Sequence, residues 1–481
     1  MMGRINWNKW EKEVLKKAKK EEKLIFLNIS NEVCESCAIT NINFLEDDYI
    51  ENFLENKCIC IKVDADERID VSTLYIEFGQ MLNCEWIFPL NILMTPEQKP
   101  FFAFNLYDDS DRNEIKNNIE MFSKQWEKNK EEIYNLSEKI FEKVKKTLRK
   151  EKSEYFDSDL IKRTFKNLKI SYDEKNGGFQ IAPKFTAPNN ILFLLKYYEK
   201  NLSEETLRII EKTLESMYIG NIFDKKEGAF YSYTIDEAWD FPEGKKEVSN
   251  NGLLMMSYTK AYEITENEIY KEVVEYIFKY LIKELYHKNK MMYFEKNSEE
   301  KFFQSSSLGI IIAAFSYAGK IFENNLYIRE AKKIETILNE NTNSKEEFRF
   351  KTLDDYAFYI WGLVELYEAS NNEEYILKIE KFLEIVEKLF KDEKQGGYFL
   401  TKKSEEFIIR WKEAYDMSIP SGNSVMAMNL MRVGNLVRKL EYLKRAADIF
   451  LAFSQVIREY PEAYTFIMTA YVGFKEDYKE K

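Results

Sequence analysis

Two thiols separated by two residues, Cys34-Glu-Ser-Cys37, form the chain's most reactive pairing. They follow an apolar run at 24–29 (Leu-Ile-Phe-Leu-Asn-Ile) that reads as a buried strand, and they precede a helical stretch. The positive end of a helix favours a thiolate, so Cys34 would attack a disulfide and Cys37, one turn below, would resolve the mixed disulfide. Glu35 opposes this, because a neighbouring negative charge disfavours the thiolate. Cys58 and Cys60 are two apart on a predicted strand, share a face and read as core, whereas Cys84 is placed to act as a third thiol.

A second chemistry is written in carboxylates beside aromatic rings. The groups are Asp236, Glu237 and Trp239; Asp354 and Asp355 before Tyr356; and Trp411, Glu413, Tyr415 and Asp416. Aromatic faces stack on sugar rings, and acids bind hydroxyls or exchange protons with them. Each group also has a plainer reading as helix capping: Asp354 and Asp355 precede a predicted helix, as do Ser421 and Asn423.

Composition excludes other chemistries. A single histidine, His287, rules out zinc sites and hydrolysis that need several histidines, and epimerases built on paired histidines. It lies among Tyr286, Lys288 and Asn289, in what reads as a polar inter-helix loop. The net charge of −12 argues against a nucleic-acid partner. Five cysteines, an odd number, make no disulfide framework, and no cofactor motif or metal set is found. The N-terminus lacks a signal-peptide core, and the most apolar window, 308–318, is too short to span a bilayer. A cytoplasmic protein with no membrane partner is expected.

The elements that must position these groups fall into two blocks. Over 1–125, helix and strand signals alternate: a helix over 7–20, strands over 24–29, 58–63, 90–94 and 101–107, and helices over 47–57 and 68–82. From about 111 onward strand signals almost vanish, and 126–481 reads as an all-helical domain. Asp173-Glu-Lys-Asn-Gly-Gly-Phe179 recurs as Asp224-Lys-Lys-Glu-Gly-Ala-Phe230 and Asp392-Glu-Lys-Gln-Gly-Gly-Tyr398, and degenerately from His287 to Tyr293. The spacing fits a helical hairpin of 50–60 residues, roughly six of which fill the block. Six hairpins close into an (α/α)6 toroid whose inner helices line a cleft; an open solenoid has the same period. The expected fold is therefore multidomain, an α/β domain followed by an all-α one.

Taken together, Cys34-x-x-Cys37, Lys62-Val-Asp-Ala-Asp-Glu-Arg68, Pro89-Leu-Asn-Ile-Leu-Met-Thr-Pro96, Gly177-Gly-Phe-Gln-Ile-Ala-Pro-Lys-Phe185, Leu353-Asp-Asp-Tyr-Ala-Phe358, Lys412-Glu-Ala-Tyr-Asp416 and Ile419-Pro-Ser-Gly-Asn-Ser424 carry a family resemblance. The chain resembles the spermatogenesis-associated protein 20 family over nearly its whole length. The resemblance implies a thioredoxin-like domain fused to a six-hairpin, glycosidase-like toroid. It also implies that Pro89 is a cis proline facing the dithiol, and that Asn28 stands where thioredoxin has a buried Asp. Relatives have His and Trp where this chain has Glu35 and Ser36, an acid at Lys245 and an Asp at Asn250. Three functions follow as expectations. The first is a thiol–disulfide oxidoreductase using Cys34, Cys37 and Pro89 on a protein partner. The second is a toroid that binds or transforms carbohydrate, and the third a non-catalytic scaffold.

Overall fold

The computed structural model describes residues 5–479 except 31–42, 66, 86–87, 106–111, 149–151, 154, 158, 288–289, 292–303 and 343–349. Cys34 and Cys37 lie outside the described residues. The chain divides into two compact units, residues 1–150 with 403–411, and residues 151–402 with 412–481.

The first unit is α/β. Its elements run β1 (Trp7–Asn8), α1 (Lys12–Glu21), β2 (Leu24–Ser30), α2 (Asp48–Lys57), β3 (Cys58–Asp64), α3 (Ile69–Met81), β4 (Leu90–Met94), β5 (Pro100–Asn105), α4 (Arg112–Lys128) and α5 (Lys130–Leu148). The strands form one sheet in the order β1-β3-β2-β4-β5, with β1, β3 and β2 parallel and β4 and β5 antiparallel to their neighbours. The two-residue period of a strand divides its side chains between two cores. Ile25, Leu27 and Ile29 meet Leu15, Val71, Leu74, Phe78 and Phe141 on one face; Leu24 and Phe26 meet Ile50, Phe53, Ile119 and Phe122 on the other. The helix expected over 7–20 starts only at Lys12, because Trp7 and Asn8 pair with Cys60 and Ile61 as an edge strand.

Cys58 and Cys60 are buried on the second face, and burial pushes the Cys60 thiol up to about 12. Burial likewise raises Cys84, half-buried, to about 11, so it rests as a thiol. The Phe88–Pro89 bond is cis, as the resemblance implied.

The second unit alternates outer and inner helices. They are α6 (Leu160–Ser171), α7 (Pro188–Asn201), α8 (Glu204–Ile219), α9 (Val248–Thr265), α10 (Glu268–Leu285), α11 (Ser305–Ile321), α12 (Asn325–Thr342), α13 (Leu353–Ser370), α14 (Glu374–Phe390), α15 (Gly422–Leu436), α16 (Leu440–Glu459) and α17 (Thr465–Lys479). The odd-numbered helices from α7 pack each on the next, and α17 packs back on α7, so the ring of six inner helices closes. Helices in the ring are packed from several sides, which explains why α11 and α13 are apolar nearly all round while α14 and α16 keep one solvated face. Close approach is extreme where α11 crosses α13: a Cβ on Gly309 would lie 2.5 Å from the Phe358 backbone. Among the described residues no helix is long and apolar enough to cross a membrane.

Connections at the two ends of the ring differ sharply. Inner helices pass to outer ones through short turns at 202–203, 266–267 and 371–373, each opening on a residue with positive φ: Leu202 (47°), Glu266 (55°) and Asn371 (51°). Outer helices return to inner ones through long segments at 172–187, 220–247 and 391–421. Leu202 is exposed and pays the left-handed penalty of an L residue without packing in return. Leu202→Gly is expected to stabilise the unit by about 0.5–1 kcal/mol. Chemical denaturation checks this, and a loss of stability would mean that the Leu202 side chain contributes.

Candidate active site at the N-terminal ends of the inner helices

The long segments all lie where the inner helices begin, and the repeated motif is what folds them. In each repeat the Asp side chain accepts backbone N–H groups two and three residues on: Lys175 and Asn176 for Asp173, Lys226 and Glu227 for Asp224, Lys394 and Gln395 for Asp392. The glycines take positive φ, at Gly177 (69°) and Gly178 (81°) and again at Gly396 (73°) and Gly397 (67°). The expected degenerate copy at 287 falls in the α10–α11 connection, but its residues 288–289 and 292–293 lie outside those described.

Each motif Asp is then clamped by a lysine that sequence reasoning missed. Lys184 Nζ lies 2.5 Å from Asp173 Oδ2, Lys246 Nζ 2.5 Å from Asp224 Oδ2, and Lys412 Nζ 2.8 Å from Asp392 Oδ2. The first clamp is the tightest. Lys184 is fully buried, donates also to the carbonyls of Gly177 (3.0 Å) and Glu237 (2.7 Å), and sits 5.2 Å from the Trp239 ring centroid. Burial works against the Asp173 charge, but Lys184 and the Asn176 backbone and side chain prevail and hold its carboxyl down to about 2.

This places the Asp236 group. Trp239 is 1% exposed and donates Nε1 to the Asn176 carbonyl, so its ring is core rather than a stacking surface. Asp236 accepts from the N–H groups of Ala238, Asp240 and Phe241; against burial, these hold its carboxyl below the usual range. Glu237 is exposed. These three residues build the 220–247 segment.

The other two groups converge. Asp354 and Asp355 occupy the first turn of α13 rather than preceding it, because Thr352 is the cap: Thr352 and Asp355 form a reciprocal capping box. Asp355 is thereby occupied, while Asp354 accepts from the backbone N–H of Gly422, the first residue of α15. Asp416 accepts from Ser421 N (3.1 Å), the cap of α15, and from Phe466 N (2.8 Å) in α17. Two carboxyls, distant in sequence, thus meet neighbouring amides at one helix N-terminus. Burial, with repulsion from Asp355, pushes Asp354 up to about 7 against the Gly422 amide. Burial likewise pushes Asp416 up to about 7 against its several donors.

The same lacing continues around the ring. Thr465 of α17 donates to Asn190 Oδ1 (3.0 Å) of α7, Asn189 Nδ2 donates to the Met417 carbonyl (3.0 Å), and Thr186 donates to Asn250 Oδ1 (3.1 Å) of α9. Tyr415, 40% exposed, packs edge-on against Tyr464. The Glu413 carbonyl accepts from Asn423, which also bridges the Tyr398 N–H and carbonyl. Trp411 groups with the α/β unit, and its buried Nε1 has no partner. Among the described residues no cluster of acids, cysteines or histidine could hold a metal ion.

A raised carboxyl has a signature in stability. The folded state keeps the Asp354 proton to about pH 7, while the unfolded chain releases it near 3.8, so the fold binds more protons between these values. Stability from this group therefore falls as pH rises from about 4 to 7. Asp354→Asn is expected to leave the thermal midpoint unchanged at pH 4 and to stabilise at pH 8, by on the order of 2–4 kcal/mol. A variant as pH-sensitive as the wild type would contradict the assignment.

A family model described as Thioredox_DsbH, protein of unknown function DUF255, matches residues 1–145. Spermatogenesis-associated protein 20 of Mus musculus and of Homo sapiens are each 22% identical to the chain, over 95% of it and 77% of their own length. The helical unit shares its (α/α)6 fold with sugar-epimerase structures. A sugar epimerase from a ruminal bacterium superposes with a TM-score of 0.50 at 13% identity, covering 63% of this chain and 85% of that one. Cellobiose 2-epimerase from Spirochaeta thermophila gives 0.51 at 10% identity, covering 67% and 96%.

Proposed function

We propose that this relative of the spermatogenesis-associated protein 20 family binds carbohydrate at the N-terminal ends of its inner helices and exchanges protons with it through Asp354 and Asp416. The observation that carries the reading is the convergence of two carboxyls, Asp354 and Asp416, on neighbouring amides at the N-terminus of α15, at the end of the ring that holds the long loops; burial pushes both up to about 7. A carboxyl poised near neutrality can give a proton as acid or, once ionised, take one as base. Loops on a rigid ring are where binding groups concentrate, and the exposed Tyr415 supplies an aromatic surface. The likeness to epimerases brings the fold only, since a single histidine leaves no pair for chemistry based on two.

Turnover of a panel of glycosides and reducing sugars tests the reading. Asp354→Asn and Asp416→Asn are each expected to lower kcat/KM by about 10²–10⁴-fold. Variants that stay within threefold of the wild type, or a wild type inert on the whole panel, would end it.

A second reading is supported by the family-model match over residues 1–145. In it Cys34 attacks a disulfide of a protein partner, Cys37 resolves the mixed disulfide and Pro89 contacts the substrate strand. Against it stands Asn28, buried and donating to Asn91 Oδ1 (2.8 Å) across the sheet: the amide holds the strand pair together but moves no proton. Alkylation of thiols across a glutathione series decides, with Cys34→Ser as control. A reversible transition between roughly −270 and −200 mV, lost in the variant, supports exchange; thiols reduced at every poise exclude it.

A further inference from the structure

We propose that the α11–α12 connection and the start of α10 form a second binding site, which takes a small zwitterion of the free amino acid type. A cavity of about 330 Å³ opens there, lined by Lys271 and Glu275 of α10, Phe322, Glu323 and Asn324 of the connection, and Tyr327 of α12. That volume is at the small end of ligand pockets, and it sets the size of the ligand. The 322–324 turn leaves the C-terminal end of an inner helix, so the cavity lies at the end of the ring opposite Asp354 and Asp416. The inference is therefore independent of the carbohydrate reading.

Charge gives the class. Lys271 and Glu275 stand four residues apart on α10, the spacing at which helical ion pairs form, yet they do not pair. Among the described residues Lys271 Nζ reaches only Glu268, at 3.9 Å, and rests 5.8 Å from the Phe322 and 5.9 Å from the Tyr262 ring centroid. Glu275 and Glu323 have no ion pair among these residues. Tyr327 adds a polar group held in place. It is 4% exposed, and its ring packs on Phe278 with 4.1 Å between centroids. Its hydroxyl has no hydrogen-bond partner among the described residues, yet the oxygen is not sealed from solvent, so a ligand in the cavity can reach it. Burial, with repulsion from Glu275, pushes this phenol up to about 12, so it is neutral at pH 7. A carboxylate on Lys271 and an ammonium shared by Glu275, Glu323 and the Tyr327 oxygen are the two ends of one amino acid. A ligand of one sign would meet its like: an anion the two glutamates, a cation the lysine. Phe322 offers an apolar wall to the ligand's side chain.

Calorimetric titration of the full chain at low ionic strength with free leucine, leucine methyl ester and N-acetylleucine tests this. The ester lacks the carboxylate and the acetylated form lacks the ammonium, so each is expected to bind at least about fivefold more weakly than leucine. Lys271→Met should weaken leucine by a similar factor without weakening the ester. Glu275→Gln combined with Glu323→Gln should weaken leucine and the ester without weakening N-acetylleucine. Tyr327→Phe keeps the ring on Phe278, and it should weaken leucine without moving the thermal midpoint. Asp354→Asn should bind leucine as the wild type does, so failure of the carbohydrate reading leaves this inference standing. Three compounds bound alike, or cavity variants that bind leucine as tightly as the wild type, would overturn the site. A wild type that takes up no leucine at millimolar concentration would overturn it as well.

Discussion

Lys184→Ala is expected to destabilise the helical unit by about 3–5 kcal/mol, read from guanidinium unfolding followed by far-UV circular dichroism. The ammonium is fully buried, and its removal takes one donor from each of three acceptors: Asp173 Oδ2, which keeps Asn176 Nδ2, and the carbonyls of Gly177 and Glu237. Its stem also lies along Trp239, whose ring approaches so near that a Cβ on Gly178 would sit 2.4 Å from it. The loss should depend on pH with a definite sign. Asp173 has a folded value of about 2 against an unfolded one of 3.8, so its contribution is complete above about pH 4 and fades as pH falls towards 2. Wild type and variant should therefore converge in acid. Adding Asp173→Asn to Lys184→Met should recover part of the stability, because the uncompensated charge is removed with its partner. A Lys184→Ala protein within 1 kcal/mol of wild type would show that the clamp is not what holds the 172–187 segment.

Arg432→Met should be comparably damaging, about 3–5 kcal/mol, and at the opposite end of the inner helices. Arg432 of α15 pairs with Glu365 and Glu368 of α13; Glu365 is 4% exposed and also accepts from Trp361 Nε1 (3.0 Å). Lys320 of α11 pairs with Glu368, so one arginine and one lysine tie three inner helices. Without the guanidinium, Glu365 is a buried carboxylate whose remaining donor is an indole N–H. Adding Glu365→Gln to Arg432→Met should recover part of the stability, because the uncompensated charge is removed with its partner. An Arg432→Met protein within about 1 kcal/mol of the wild type would contradict the pairing.

Much of the helical unit is legible because its signals are local. The Asp-x-x-x-Gly-Gly-aromatic motif needs nothing beyond its own turn: the Asp accepts from residues two and three ahead, and the glycines supply positive φ. Its recurrence at 173, 224 and 392 gave the hairpin count, and the gap between the last two copies spans two connections, α10–α11 and α12–α13. The α/β unit was equally readable from strand runs such as 24–29, except at its edge. Trp7 and Asn8 fit a helical pattern, but pairing with Cys60 and Ile61 overrides it. The lysine clamps were not legible, since Lys184, Lys246 and Lys412 follow their aspartates at three different spacings. Trp239 was misleading for a related reason. An aromatic beside two acids looks like a sugar platform, yet glycines at 178 and 220 leave room for the ring to bury itself.

What the sequence alone determined is therefore whatever a residue settles with its near neighbours: the strand and helix periods, the capping of α13 by Thr352, the motif turns, and the exclusion of chemistry that needs a second histidine. What only the tertiary structure decided is which of the many acids are tied up locally and which are brought together. Asp236 and Asp355 spend themselves on backbone N–H groups of their own segments. Asp354 and Asp416 meet at α15 only because α13 and α17 pack on either side of it, and burial there lifts both carboxyls towards neutrality. Desolvation is the sum over every element packed around a group, so no window of sequence contains it.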